Sequence, residues 1–123
     1  MYLKLSIFLN SNKLINKQYN LVAMTIVYIT CKDEKEAKRV SMQLLKKRLI
    51  ACANIFPLKS MYWWQGKIVK DKENAIIAKT SDKNFKNLVK EVRKIHSYTV
   101  PCILKIEAQA NKEYAAWASK ELR

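Results

Sequence analysis

Apolar and polar residues follow two periods along this chain, and the order of the periods predicts its elements. Thr25–Thr30 is a short run rich in β-branched residues, as in a central strand. Apolar residues then recur at helical spacing from Ala37 to Leu49, with lysines between them. Asp33 precedes this stretch and is the expected N-cap, because its carboxylate can accept a hydrogen bond from the first turn. A strand followed by an amphipathic helix is therefore predicted.

A long, aromatic hairpin is predicted next, between Ala51 and Thr80. Strand character returns at Ala51–Ile55, is interrupted by Pro57, and resumes at Ser60–Trp64. Proline donates no ladder hydrogen bond, so we expect a kink or bulge there. Gln65-Gly66 supplies the turn, since glycine adopts a positive φ at little cost. The return strand is expected to start at Lys67–Val69 and to finish at Asn74–Thr80.

The last third of the chain again predicts a helix followed by a strand, and then a short terminal helix. Ser81 or Asp82 is expected to cap a second helix, which must end near His96 because Pro101 follows five residues later. Cys102–Ala108 alternates as a fourth strand. Asn111 opens a short helix that carries Tyr114 and Trp117 on one side.

The order β-α-β-β-α-β plus a terminal helix predicts an α+β fold, the ferredoxin-like sandwich, in which two helices cover one face of an antiparallel sheet. We expect residues 24–123 to form this single domain. Residues 1–23 contain an apolar run too short for a secretory signal and no small-residue cleavage site. They are expected to be a poorly ordered extension, with an upstream start codon or a targeting segment as the alternatives.

The charge changes the picture less than its size suggests. The formal net charge is +14 over 123 residues, which raises the question of nucleic acid. Only 4 of the 24 basic residues are arginines, however, and the lysines are scattered through every element. Specific recognition of phosphates and bases relies on the arginine fork, so nucleic-acid binding is disfavoured. No apolar run approaches the length of a membrane span, so no membrane partner is expected.

The residues that bear chemistry are few. Cys31, Cys52 and Cys102 lie in or beside apolar runs without CxxC spacing, which favours a reducing, cytoplasmic setting over a disulfide scaffold. His96 and Cys102 are the nearest pair of metal-ligand types, and the alternative is that His96 simply terminates a helix. With one histidine and one glycine in the chain, neither a catalytic triad nor a phosphate loop is supported, so no enzyme is predicted.

Consecutive aromatic residues at Tyr62–Trp64 place Trp63 on the face opposite to its two neighbours. One of these faces must be covered by something outside the strand or remain exposed. A subunit interface is the favoured explanation, because tryptophan is enriched there. A stacking surface for single-stranded nucleic acid is the alternative.

Several spaced motifs resemble the CutA, or divalent-cation tolerance, family. They are the run ANIFPLKSMYWWQGKI, the strand end AIIAKT and the turn HSYTVPCI. Ser60, Tyr62, Trp64, Gly66, Lys67 and Ile68 match the family's hairpin motif, and His96, Tyr98 and Pro101 match its His-x-Tyr-x-x-Pro turn. Tyr114 and Trp117 match the aromatic pair of its last helix. The resemblance spans about residues 24 to 120.

The resemblance implies a homotrimer with hairpin strands that pair between subunits, a link to tolerance of copper and other divalent cations, and no established catalysis. It implies a metal site between subunits near His96, for which Cys102 and Cys31 are further candidate ligands. The implied cleft or ligand-binding residues are Tyr62, Trp64, Lys67, Lys79 and Tyr98. The implied trimer-interface residues are Trp63, Trp64, Gly66, Ile68 and Trp117.

The chain departs from the family at the turn. Ser97 stands where the family commonly has proline, and Cys102 stands where it has glutamate. Ile29 occupies a position at which some members carry cysteine, with Cys31 two residues away on the same strand face. A thiol that replaces a carboxylate favours soft Cu(I) over a hard cation. A structural or signalling trimer that binds a protein or small molecule in its clefts is the alternative function, and a basic nucleic-acid-binding domain is a weaker one.

Overall fold

A computed structural model describes residues 20–123 of the chain, so residues 1–19 of the predicted extension lie outside the described part. The elements in chain order are β1 (Leu21–Cys31), α1 (Glu34–Lys46), β2 (Cys52–Trp64), β3 (Lys67–Thr80), a single 3-10 turn (Asp82–Asn84), α2 (Phe85–Ile95), β4 (Ile103–Asn111) and α3 (Lys112–Glu121). None of the helices in this part of the chain is long and apolar enough to cross a membrane.

The four strands form one antiparallel sheet in the order β2-β3-β1-β4. With the helices α1 and α2 this is the predicted ferredoxin-like α+β arrangement. Two strands, β1 and β4, extend beyond their predicted limits. β1 begins at Leu21 rather than Thr25, because its first residues pair with the end of β4, which itself continues to Asn111.

The core lies between the sheet and the two helices. Strand residues of one parity point to this face, since side chains alternate along a strand. The fully buried aliphatic side chains that fill it are Val27, Ile29, Ile76, Val40, Leu44, Leu88 and Val92. The helical stripe predicted from Ala37 onward is therefore confirmed, although α1 itself ends before Leu49.

Both ends of α1 are specified locally. The Asp33 carboxylate accepts a hydrogen bond of 2.8 Å from the Glu36 backbone N–H, as predicted for an N-cap. At the other end Arg48 has a φ of 59°, its N–H donates to the Leu45 carbonyl, and the Leu49 N–H donates to the Leu44 carbonyl. These two bonds define a Schellman motif, in which glycine usually occupies the position that Arg48 holds here.

The hairpin has the predicted extent and a continuous ladder. The β2–β3 pairing runs without a break from Cys52 opposite Lys79 to Trp64 opposite Lys67, so no bulge interrupts it at Pro57, where a kink or bulge was expected. β2 is an edge strand, and a proline there is tolerated where its missing N–H would face away from the ladder. The turn is confirmed, because Gln65 and Gly66 have φ values of 49° and 78°, as in the type I′ turns of two-residue hairpins.

Candidate functional site

The turn between α2 and β4 positions the only histidine of the chain. α2 ends at Ile95, and the His96 backbone N–H closes the helix by donating to the Val92 carbonyl at 2.8 Å. Because Pro101 lies just before β4, the intervening residues cannot continue the helix and fold back against β1 and the start of α1. This packing buries the His96 side chain completely.

Both ring nitrogens of His96 have backbone partners. Nδ1 lies 3.0 Å from the Tyr98 backbone N–H, which can only donate, so Nδ1 must accept. Nε2 lies 2.8 Å from the Thr30 carbonyl oxygen, which can only accept, so Nε2 carries the proton. The imidazole is therefore a neutral, fully hydrogen-bonded tautomer that ties the turn to β1.

Glu36 is the buried acid beside this histidine. Its Oε1 accepts the Lys32 backbone N–H at 3.1 Å, and its Oε2 accepts the Ser97 backbone N–H at 3.0 Å. Arg39 adds a longer contact of 3.4 Å to Oε2. Burial acts to raise the pKa of Glu36, but the hydrogen bonds from Ser97 and Lys32 outweigh it and hold the pKa below its usual value. Glu36 is therefore an ionised carboxylate that joins α1 to the turn.

Cys31 lies next to His96 and Glu36 and forms a group of three possible metal ligands with them. Its thiol sulfur, a Glu36 carboxylate oxygen and a His96 ring nitrogen all lie within 4.8 Å of one another. In the part of the chain that the structure describes, these are the residues whose ligand atoms converge in this way. Burial first, and the negative charge of Glu36 second, raise the pKa of the Cys31 thiol to about 12. The thiol is accordingly protonated at neutral pH.

The chemistry of this donor set suits a soft or borderline cation, because sulfur, imidazole nitrogen and carboxylate oxygen are ligands of copper and zinc. Two changes must accompany binding. Cys31 must lose its proton, and His96 Nδ1 must release the Tyr98 N–H to expose a lone pair. The same features remove Cys31 as a nucleophile, since its thiol is protonated and His96 has no free nitrogen to act as a base.

Cys102 lies outside the group formed by Cys31, Glu36 and His96. It lines a neighbouring cavity instead. Burial first, and the negative charge of Glu73 second, raise the pKa of the Cys102 thiol above its ordinary value. The structure thus brings Cys31 together with His96 and assigns Cys102 to the wall of the cavity.

The cavity has a volume of about 660 Å³ and lies between the hairpin and the turn that follows α2. Three of the predicted cleft residues, Tyr62, Trp64 and Tyr98, line it. Lys67 is the ladder partner of Trp64 at the hairpin end. Lys79 lies elsewhere, where its ammonium hydrogen-bonds Asn54.

Glu73 is a cavity residue that the sequence analysis did not single out as a ligand. Its side chain is 7% exposed, and its Oε2 accepts a hydrogen bond of 2.9 Å from the Tyr98 hydroxyl. Burial and this carboxylate together raise the pKa of Tyr98 far above its ordinary value. The sequence offered one signal that could have pointed to Glu73. In the segment KDKEN acidic residues alternate with lysines.

Four of the five predicted interface residues lie at the exposed end of the hairpin. Trp63 and Ile68 are direct ladder partners, with exposed fractions of 72% and 58%. Gly66 holds the adjacent turn. Trp117 is on α3 and not at the hairpin end, and the centroid of its ring lies 5.5 Å from that of Tyr114. Large apolar side chains are thus left uncovered in the single chain.

Comparison with known proteins finds one family over nearly all of the described chain. Residues 25–121 match the sequence model of the CutA1 divalent ion tolerance protein family. A divalent-cation tolerance protein CutA from Archaeoglobus fulgidus is 46% identical over 92 residues, which are 74% of this chain and 90% of that protein.

Solved structures of CutA proteins have a similar fold. CutA1 from Pyrococcus horikoshii superimposes with a TM-score of 0.79 at 40% identity, covering 81% of this chain and 99% of that one. The structure of the A. fulgidus protein, described as periplasmic, gives a TM-score of 0.79 at 41% identity and covers 83% of this chain and 100% of its own.

Proposed function

Because the chain belongs to the CutA1 divalent ion tolerance family, we propose that it is a non-catalytic, homotrimeric protein that binds copper weakly and contributes to tolerance of divalent cations. The observation that carries the metal-binding proposal is the convergence of Cys31, Glu36 and His96 within 4.8 Å. Binding is weak because it must replace the proton on Cys31 and the hydrogen bond from Tyr98 to His96.

Copper affinity tests this proposal directly. Calorimetry of the fully reduced protein with Cu(I) is expected to show a saturable site whose affinity rises between about pH 6 and pH 8 by about tenfold per pH unit for each thiol proton that the bound ion displaces. Cys31→Ser should lower this slope by about tenfold per pH unit, because one displaced proton is removed. Cys52→Ser is the matched control, since Cys52 lies outside the convergent group and its loss should change nothing. An affinity that does not vary with pH would contradict the involvement of Cys31.

Cys102 is proposed as a further thiol ligand that favours Cu(I) over harder cations. The double variant Cys102→Ser/His96→Ala removes the thiol and the imidazole together, so it tests whether these two side chains bind Cu(I). The expected result is a clear loss of Cu(I) affinity in the reduced protein. Unchanged affinity of the double variant would refute a copper site around the turn.

A homotrimer is supported by the exposed aromatic end of the hairpin, since β-strands with uncovered apolar side chains are suited to pairing with another subunit. Light scattering is expected to give a mass of three times 14.4 kDa. Substituting Trp63→Ser and Ile68→Ser should lower this mass. Met42→Ser is the control, because Met42 is equally apolar and exposed but lies on α1. An unaltered mass in the hairpin variant would contradict the proposed interface.

Two further points complete the proposal. We place the protein in the cytoplasm, in keeping with three free cysteines, and cell fractionation tests this placement. Nucleic acid is not among the proposed partners, so a titration with generic DNA should show no salt-dependent binding.

The alternative function, a trimer that signals by binding a small molecule, is favoured by the cavity of about 660 Å³. Calorimetry distinguishes the two functions. Copper binding with no response to small organic ligands supports metal tolerance alone, whereas a ligand that binds without metal supports the alternative.

A further inference from the structure

Within residues 20–123, Glu73 is a buried carboxylate without a positively charged partner. Two other carboxylates are comparably buried, and each has one: Glu36 contacts Arg39 at 3.4 Å and Glu91 contacts Lys47 at 2.9 Å. Among residues 20–123 no lysine or arginine pairs with Glu73, although the chain carries 24 basic residues. Burial of a carboxylate is costly unless a positive charge or several hydrogen bonds compensate it.

One of its two oxygens is available to a ligand. Oε2 accepts the Tyr98 hydroxyl at 2.9 Å, and in the described part of the chain no donor reaches Oε1. Glu73 lines the cavity, and none of the residues that line it is basic. An acceptor oxygen that is open to a ligand and a negative charge without a basic partner therefore coincide at the cavity wall.

Three aromatic side chains belong to the same wall. Tyr62, Trp64 and Tyr98 border the same space as Glu73. Aromatic faces attract organic cations through their quadrupole, and most strongly where water is excluded. A carboxylate combined with several aromatic rings is a combination that recognises a positively charged organic group.

We propose that this cavity binds a small organic cation with N–H donors, a primary ammonium or a guanidinium, whose charge pairs with Glu73 and whose apolar part contacts Tyr62 and Trp64. The volume of about 660 Å³ suits a ligand of this class. The proposal rests on the alternative function and deepens it by naming the class of ligand that the cavity takes, and it concerns a different ligand and different residues from those of the proposed copper site.

A metal ion is a poorer occupant. Hard divalent cations take several oxygen ligands, usually more than one carboxylate. Glu73 is the only acid that lines the cavity, and it does not belong to the convergent group of Cys31, Glu36 and His96. One negative charge among aromatic rings matches a single positive charge.

Calorimetry of the intact protein with phenethylammonium tests the proposal, with phenethyl alcohol as the neutral ligand of nearly the same shape. The expected result is saturable binding of the ammonium and at least tenfold weaker binding of the alcohol. Glu73→Gln, which keeps the acceptor for Tyr98 and removes the charge, should weaken ammonium binding at least tenfold. Glu34→Gln is the matched control, because it removes an exposed charge from α1 and should leave the affinity unchanged.

Tyr62→Leu provides a second variant at a partly exposed position, and a severalfold loss of ammonium affinity is expected. Equal binding of alcohol and ammonium, or unchanged affinity in Glu73→Gln, would overturn the proposal. If Glu73→Gln does not fold, unchanged affinity in Tyr62→Leu overturns it instead. Copper titration of the same variants should be unaffected, so failure here and failure of the proposed copper site are distinguishable.

Discussion

Removal of the Glu36 carboxylate is expected to be among the most damaging single polar substitutions in this protein. Glu36 is 2% exposed and accepts two backbone N–H groups, from Lys32 and from Ser97, which lie on opposite sides of it in the sequence. In Glu36→Ala both N–H groups, which make partly buried hydrogen bonds to Glu36, lose their charged acceptor. The turn that carries His96 would lose its hydrogen-bonded contact with α1 at Ser97.

The magnitude follows from these contacts. A hydrogen bond to a charged group contributes roughly 1.5–3 kcal/mol. The two bonds from Lys32 and Ser97 therefore predict a loss of about 3–6 kcal/mol in the free energy of unfolding for Glu36→Ala. Glu36→Gln keeps one acceptor oxygen but directs an amide N–H₂ at the other donor, so we expect about 2 kcal/mol.

Urea unfolding at one fixed protein concentration measures these losses, because oligomerisation makes apparent stability depend on concentration. Glu34→Gln is the control in the same helical turn. Its carboxylate pairs with Lys38 at 3.0 Å in an exposed position, which predicts a change below about 0.5 kcal/mol. Faster amide exchange at Ser97 and Tyr98 in Glu36→Ala would localise the effect to the turn.

The pH dependence supplies a second check. The pKa of Glu36 is lowered in the folded protein, so its ionised form stabilises the fold above the pKa of an unfolded glutamate, about 4.3. This contribution is lost as the pH falls from that value through the folded pKa. The difference between wild type and Glu36→Gln should accordingly be constant near neutrality and shrink in acid. A loss below about 0.5 kcal/mol at neutral pH, or a difference that grows in acid, would refute the reasoning.

Three further predictions concern other parts of the chain. Gly66→Ala should destabilise the protein by about 1 kcal/mol in thermal unfolding, because its φ of 78° strains any side chain although no atom lies within 4 Å of the new Cβ; no change would show that the turn relaxes. Arg48→Gly should increase the free energy of unfolding by roughly 0.5 kcal/mol, because the strain of the positive φ at Arg48 costs more than its exposed ion pair with Glu121 contributes. A decrease in stability would mean that the ion pair contributes more. Mass spectrometry after iodoacetamide treatment at neutral pH should find Cys31 labelled much more slowly than Cys52. The reason is that the Cys31 thiol is fully buried and its pKa is raised to about 12. Equal labelling rates would contradict the buried environment of Cys31.

The predicted strands and helices were mostly right because their signals are local. Alternation along Thr25–Thr30 and helical spacing from Ala37 follow from which face of each element is buried, and both are visible in the printed sequence. The cap at Asp33 and the turn at Gln65-Gly66 depend on a few neighbouring residues. The end of α2 near His96 followed from Pro101.

The errors came from non-local pairing. The lysine-rich centre of β3 has no strand signal of its own, but it continues as a strand because residues of β2 pair with it throughout. Pro57 lacked its expected bulge because β2 lies at the sheet edge, a position that sequence order alone does not reveal. Local propensity is a weak guide wherever a neighbouring strand supplies the hydrogen bonds.

The chemistry of the candidate sites was decided by the tertiary structure. The sequence alone determined the elements, their order and the residues of the family motifs, because periodicity, caps and turns act over a few residues. It placed Glu36 in a first helical turn and Glu73 among lysines. Only the fold carries Ser97 across 61 positions to Glu36 and Tyr98 across 25 positions to Glu73. Hydrogen bonding and burial at such contacts depend on distance in space, which residue spacing does not encode.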